Sequence, residues 1–190
     1  MYKIIRMTFQ GSKRLISVAD YHKMAEVGIL PERGIELING EIIEMSPIGS
    51  KHLSCVNTLA ELLHEALGRS VIISVQNPVQ LNNQSEPEPD IAILKRSSGR
   101  YADRIPTADD AMLLIEVADT TLAYDRDVKL AIYAESGVPE FWLVNLEDQT
   151  IEAHWEPIGK AYRHRMLLCP GDFVKAQHFE LNLAVAEILL

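Results

Sequence analysis

Cysteine is scarce: Cys55 and Cys169 stand far apart in 190 residues and form no CxxC pair. That excludes a disulfide framework and a cysteine-rich zinc site, and suits a reducing compartment. No apolar run approaches the roughly 20 residues that a membrane-spanning helix needs. Met1 to Leu15 carries scattered Lys and Arg without the apolar core of a secretory leader. The expectation is a cytoplasmic protein with no membrane partner. No Gly-rich phosphate loop follows a strand and no GxSxG occurs, which removes two large classes of phosphate-binding and acyl-transfer enzymes. Internal repeats and low-complexity tracts are absent as well. Basic charge is also short, with 18 Lys and Arg against 27 Asp and Glu and a net charge of −9. Phosphate contacts supply most non-specific affinity for nucleic acid. The balance therefore speaks against such a partner, unless a bound metal or a local basic patch reverses the field.

What is present is ordinary globular material, 47% hydrophobic and 24% charged, enough for one core and one domain over 1–190. Ser17 to Val27 reads as a short helix capped by Ser17 and ended by Gly28. Asn39-Gly40 between two apolar runs predicts a hairpin with a type I′ turn. Val56, Leu59, Leu63 and Leu67 line one face of a helix from about Lys51 to Leu67, with Gly68 as its stop. Strands are expected at Val71 to Leu81 (interrupted near Pro78), Asp90 to Leu94, Met112 to Val117, Phe141 to Val144, Ile151 to Trp155 and Tyr162 to Leu168. A helix from Asp125 to about Ser136 follows the third of these. Asn182 to Leu190 is apolar enough for a helix or a strand. The pattern is α/β, with helices flanking a mixed central sheet.

One residue breaks the pattern. Glu116 sits inside Leu113-Leu114-Ile115-Glu116-Val117, and a buried carboxylate without a partner costs several kcal/mol or more, or takes up a proton. Asp90 opens another strand. If the two strands pair antiparallel, the start of the first adjoins the end of the second and the carboxylates become neighbours. Two such charges repel unless a cation compensates them, and hard oxygen ligands suit Mg²⁺ or Mn²⁺. Lys129, on the next helix, either faces this pair or forms an ordinary surface pair with Asp125 four residues earlier. Facing the pair, it could position a water or stabilise charge developing on a phosphoryl oxygen. Two carboxylates, a metal and a lysine make a kit for hydrolysing phosphodiesters.

Pro89-Asp90, Glu116-Val117-Ala118 and the run from Asp125 through Lys129, Gly137, Pro139 and Trp142 to Val144 resemble the Uma-type family of putative restriction endonucleases, of the PD-(D/E)XK nuclease superfamily. The hairpin Glu36 to Glu41 and the Ser46-Pro47…His52 segment share the likeness, which spans roughly 35–155. It implies a restriction-endonuclease-like αβββαβ core, preceded here by a helix and a hairpin, and divalent-metal-dependent cleavage of DNA. It implies Asp90 and Glu116 as metal ligands, the main-chain carbonyl of Val117 as a third, and Lys129 as the catalytic lysine. The superfamily usually carries that lysine two residues after the glutamate, where this chain has Ala118, so the mechanism depends on Lys129 reaching the site from its helix. Asp119 replaces a small polar residue common at that place and adds negative charge.

Glu36 and His52 are candidates for supporting roles, Glu41 a weaker one. Lys95, Arg96, Arg100 and Arg104, in the loop between the two carboxylate strands, are candidate DNA contacts or simply a solvated loop. His154, His164 and His178 read as structural, and Phe141 and Trp142 as core. Besides a DNA endonuclease working as a homodimer, two alternatives stand: a nuclease fold without cleavage, acting as a nucleic-acid-binding or regulatory module, and a hydrolase of another phosphorylated substrate.

Overall fold

The computed structural model describes residues 12–31 and 33–189; most of Met1 to Leu15, expected not to be a leader, lies outside them. Helix α1 (Val18–Glu26) is capped by the Ser17 side chain, which accepts from the Asp20 N–H. The hairpin β1 (Ile35–Ile38) and β2 (Glu41–Glu44) turns at Asn39 and Gly40, both with positive φ, as a type I′ turn requires. A Cβ on Gly40 would meet Leu15 Cβ at 2.6 Å, so the turn is held to glycine by packing as well as by conformation.

Next come α2 (Ser50–Leu67), β3 (Ile72–Val75), β4 (Ile91–Leu94) and β5 (Ala111–Ala118). The chain then coils through a short helix α3 (Leu122–Tyr124), a π-helical turn over Asp125–Lys129, and α4 (Leu130–Glu135), before β6 (Glu140–Asn145). From α2 to β6 this is the expected αβββαβ order. Strands β7 (Thr150–Ile158) and β8 (Ala161–Leu168) extend the sheet to six, ordered β3-β4-β5-β6-β7-β8, all antiparallel except β5 with β6. The chain is thus α/β with a mixed central sheet flanked by helices. A small pair, β9 (Phe173–Lys175) with β10 (Asn182–Ala184), precedes α5 (Val185–Ile188). The ambiguous C-terminal run is therefore a strand followed by a helix, and β9 was not anticipated. The expected strand Val71 to Leu81 stops at Val75, where Gln76 turns to positive φ.

Alternation along the strands divides the core between the two faces. Ile91, Ile93, Leu113, Ile115 and Val117 pack with Val56, Leu59 and Leu63 of α2. Ala92, Leu94, Leu114 and Ala118 pack with Ile132 and Tyr133 of α4. Glu116 alternates with Leu114 and Ala118, so it belongs to the face that α4 covers. Phe141 and Trp142 are core residues, both fully buried. Among the described residues no helix is long and apolar enough to cross a membrane.

Candidate active site

In the antiparallel pairing of β4 with β5, Ile91 stands opposite Ile115. Asp90, just before Ile91, and Glu116, just after Ile115, therefore lie at the same end of the strand pair. Asp90 Oδ2 accepts from the Val117 N–H at 2.9 Å and pairs with His52 Nε2 at 3.0 Å, while its Oδ1 accepts from Gln76 Nε2 at 3.2 Å. His52 reaches it from the first turn of α2. Its imidazole is held more basic than usual: burial opposes the charged form, but the hydrogen bond and charge of Asp90 outweigh it.

Glu116 Oε1 takes the Tyr133 O–H at 2.5 Å and Lys129 Nζ at 3.1 Å. Lys129 Nζ also donates to Glu36 Oε1 at 3.0 Å. The lysine therefore faces the carboxylates, not water. Asp125, the competing partner, accepts from Thr121 Oγ1 at 2.5 Å instead. The π-helical turn is what reorders these groups. The Leu130 N–H bonds to the Asp125 carbonyl, five residues back, which widens the turn relative to an α-helix; such turns recur at functional sites. Arg126, inside the turn, is tied to the sheet through Glu152 Oε1 at 2.5 Å, and Glu152 is also held by Arg165 at 3.0 Å. Glu152 stands opposite Leu143, which itself stands opposite Glu116, so the turn is anchored on the same face of the sheet.

Glu36 arrives from β1. The hairpin is docked on the Asn82–Pro89 loop by main-chain bonds from Glu86 N–H to Leu37 O and from Gly40 N–H to Gln84 O, both 2.7 Å. The Glu88 N–H then donates to Glu36 Oε1 at 2.8 Å. Glu41, on the turn's far side, is exposed and pairs with Lys13.

Charge is out of balance here. Glu36, Glu44, Glu88, Asp90, Glu116, Asp119 and Asp125 line one cavity of about 390 Å³, where Lys129 and His52 are the only candidate cations among the described residues. Burial pushes the Glu116 carboxyl well above its usual range. Lys129 pulls it down, but Asp90, Asp125 and Glu36 push it further up. Burial likewise raises Asp125 against the pull of Lys129. Lys129 stays charged: burial lowers its basicity, yet Glu116, Glu36 and Asp125 together hold it above the ordinary value. Among the described residues no group of three or more His, Cys, Asp or Glu is placed to hold a metal ion. The donor set nonetheless fits one type of ion. Mg²⁺ is usually held by one or two carboxylates, with water and substrate phosphate completing its shell. Both contacts of Glu116 fall on Oε1, leaving Oε2 free of them, and a surplus of buried carboxylates lacks a countercharge.

The basic loop lies elsewhere. It joins the end of β4 to the start of β5, whereas Asp90 precedes β4 and Glu116 ends near the close of β5. Three of its four cations are also occupied. Lys95 donates to Asp109 O, Arg96 to Arg69 O, and Arg104 to both oxygens of Asp110 while lying over the Tyr101 ring. Arg100 occupies the same loop with positive φ. The structure does not bring these four residues to the carboxylates. Conversely, Tyr133, Gln76, Glu88 and Arg126 are site or anchoring residues that the sequence reading passed over. Tyr133 follows Lys129 by one helical turn, a spacing that places both on one face and could have flagged it.

No curated protein matches this chain. Five solved chains do. One is the crystal structure of "a putative nuclease belonging to DUF820" from Anabaena variabilis ATCC 29413; it is 16% identical, superposes with a TM-score of 0.70, and the match covers 92% of this chain and 97% of that one. At that identity the likeness establishes the fold. The model of the Uma2 family, described as "Putative restriction endonuclease", matches residues 18–186, and the chain belongs to that family.

Proposed function

We propose that the protein is a divalent-metal-dependent endonuclease that hydrolyses DNA phosphodiester bonds. The observation that carries this is the position of Lys129 Nζ, 3.1 Å from Glu116, at the end of the strand pair where Asp90 accepts from the neighbouring Val117 N–H. Asp90, Glu116 and the Val117 carbonyl would hold Mg²⁺ or Mn²⁺. When bound, the ion neutralises charge on the scissile phosphate and lowers the pKa of a bound water. The chain's own residues do the rest. Lys129 supplies a fixed, dry positive charge toward the phosphoryl oxygens. Glu36 seats Lys129 from behind, and His52 with the Val117 N–H orients Asp90. We also assign one restriction-endonuclease-like domain over 1–190, a cytoplasmic location and, by analogy with restriction-like nucleases that work as dimers, a homodimer.

Purified protein incubated with plasmid and single-stranded DNA across a metal series tests the proposal: cleavage is expected with Mg²⁺ or Mn²⁺ and none with chelator. No cleavage with any metal, or cleavage untouched by Asp90→Ala, would rule it out. The acid-lined cavity favours a second reading, a binding module on a nuclease fold. Calorimetry with Mn²⁺ beside a DNA gel shift separates the two, because DNA binding indifferent to metal belongs to the module.

Tyr133 offers a further check. Its hydroxyl fixes one oxygen of Glu116 from a fully buried position on α4. Outer-shell partners of metal ligands are typically worth about 10–100-fold in metal affinity or activity. Tyr133→Phe, which keeps the ring and its packing on Phe141, is expected to weaken Mn²⁺ binding in calorimetry by about tenfold without unfolding the protein. Unchanged affinity would reduce the hydroxyl to a structural role.

A further inference from the structure

The proposed catalytic groups lie far from the surface. The Asp90, Glu116 and Lys129 side chains are 12%, 4% and 6% exposed. They line a cavity of about 390 Å³, at the small end of pockets that enclose single small ligands. Its walls come from two connections. One is the β2-to-α2 segment, Met45 to Gly49; the other is the β5-to-α3 segment, Asp119 to Thr121. The walls meet at one side, where a Cβ placed on Gly49 would stand 3.2 Å from Asp119 Oδ2. A B-form duplex does not fit such a space. Even its major groove, about 12 Å wide, separates two backbones that would both have to clear these walls.

Electrostatics points the same way. Duplex DNA carries one negative charge per roughly 1.7 Å of axis, about twice the density of either strand alone. The walls here add Glu44, Glu88 and Asp119, and the nearest cation, Lys129, is already shared between Glu36 and Glu116. Among the described residues no Lys or Arg other than Lys129 lines the cavity. A second strand at these walls would meet more acid than base, even with Arg33 acting on Glu88. An unpaired strand brings half the charge and can bend its backbone inward. Ile43, Met45, Pro47, Ile48 and Tyr124 supply apolar wall, a surface suited to the faces of unstacked bases.

From this enclosure and its charge we infer that the substrate is an unpaired strand of DNA, either single-stranded or a locally opened stretch of duplex. The inference rests on the nuclease reading above and narrows it. A paired phosphate enters the cavity only after local unpairing, which costs at least about tenfold in rate.

The experiment uses the full chain with Mn²⁺ and three end-labelled DNAs of one sequence: a single strand, a perfect duplex, and a duplex with a central unpaired bubble. Fluorescence anisotropy of Asp90→Asn with the single strand and the duplex runs in parallel. Expected are initial rates at least about tenfold higher on the single strand and the bubble, with bubble cuts confined to the unpaired stretch. A perfect duplex cut as fast as the single strand, or a bubble cut in its paired arms, overturns the strand inference and leaves the nuclease reading standing. No cutting of any DNA, with Asp90→Asn still preferring the single strand, removes the nuclease reading and supports the strand preference. No cutting together with equal or tighter duplex binding removes both.

Discussion

Lys129→Met is expected to abolish detectable DNA cleavage and to destabilise the protein. Removal of one preorganised donor to a developing charge typically costs about 10²–10³-fold in rate. Lys129 is that donor in a buried setting, and among the described residues no other Lys or Arg lines the cavity to replace it. The stability effect has a separate cause. Nζ lies 3.0 Å from Glu36 and 3.1 Å from Glu116, all three side chains nearly sealed from water. Taking away one partner of a buried ion pair costs about 3–5 kcal/mol, because the other charge stays behind unpaired. The lower end applies here, since Glu116, already pushed toward its protonated form by burial, can take up a proton instead. Lys129→Arg should restore little activity, because a planar guanidinium fork cannot fill the compact position between two oxygens. Urea denaturation and single-turnover cleavage of the same preparations check both halves. Cleavage at the parental rate would mean that the ammonium serves only as a structural counter-ion.

Glu116→Gln should lose activity as fully, but with the opposite effect on stability. Gln keeps the shape, so its amide oxygen can still accept from the Tyr133 O–H and from Lys129. What disappears is a negative charge facing Asp90 across the strand pair and sensing Asp125 and Glu36 nearby. Lys129 keeps Glu36 as its partner. The metal-free variant is therefore expected to unfold at a urea midpoint equal to or above that of the parent. Its Mn²⁺ affinity in calorimetry should fall by at least the roughly 10–100-fold that loss of an outer-shell partner brings. A variant that binds Mn²⁺ like the parent would remove Glu116 from the ligand set. A variant much less stable than the parent would mean that the carboxylate is retained for its bond to Lys129, not for a cation. The two substitutions together form a sharper test than either alone: activity falls in both, while stability moves in different directions because one removes the scarce positive charge and the other a surplus negative one.

Much of the fold could be read from local pattern. The Asn39-Gly40 turn, the Ser17 cap, the Gly68 stop and the apolar face of α2 depend on a few neighbouring residues, and they stand where those residues predict. The misreadings share a cause as well. The composition of Val71 to Leu81 continues strand-like past Val75, with a break expected only near Pro78, but β3 ends where β4 begins, at the Val75–Ile91 pair. Pairing length is a property of two segments and cannot be read from one. Local pattern predicts one plain helix from Asp125 to about Ser136. Its π-helical turn is set by what the side chains find on the sheet, Arg126 on Glu152 and Lys129 on Glu116.

The sequence by itself determined that Glu116 needed a compensating group, since a carboxylate in a buried strand is too costly to leave alone. It also named the candidates, Asp90, Lys129, Glu36 and His52. Only the tertiary structure decided between the two partners open to Lys129, and moved the basic loop to the other end of the sheet. It also enlisted Tyr133 and enclosed the whole group behind Met45 to Gly49. The physical reason is range. Burial and helix or turn preference are set by neighbours along the chain, so residue order carries them. Which charges lie 3 Å apart depends on how β1, β4, β5 and the π-helical turn are brought together, and no single stretch of sequence encodes that distance.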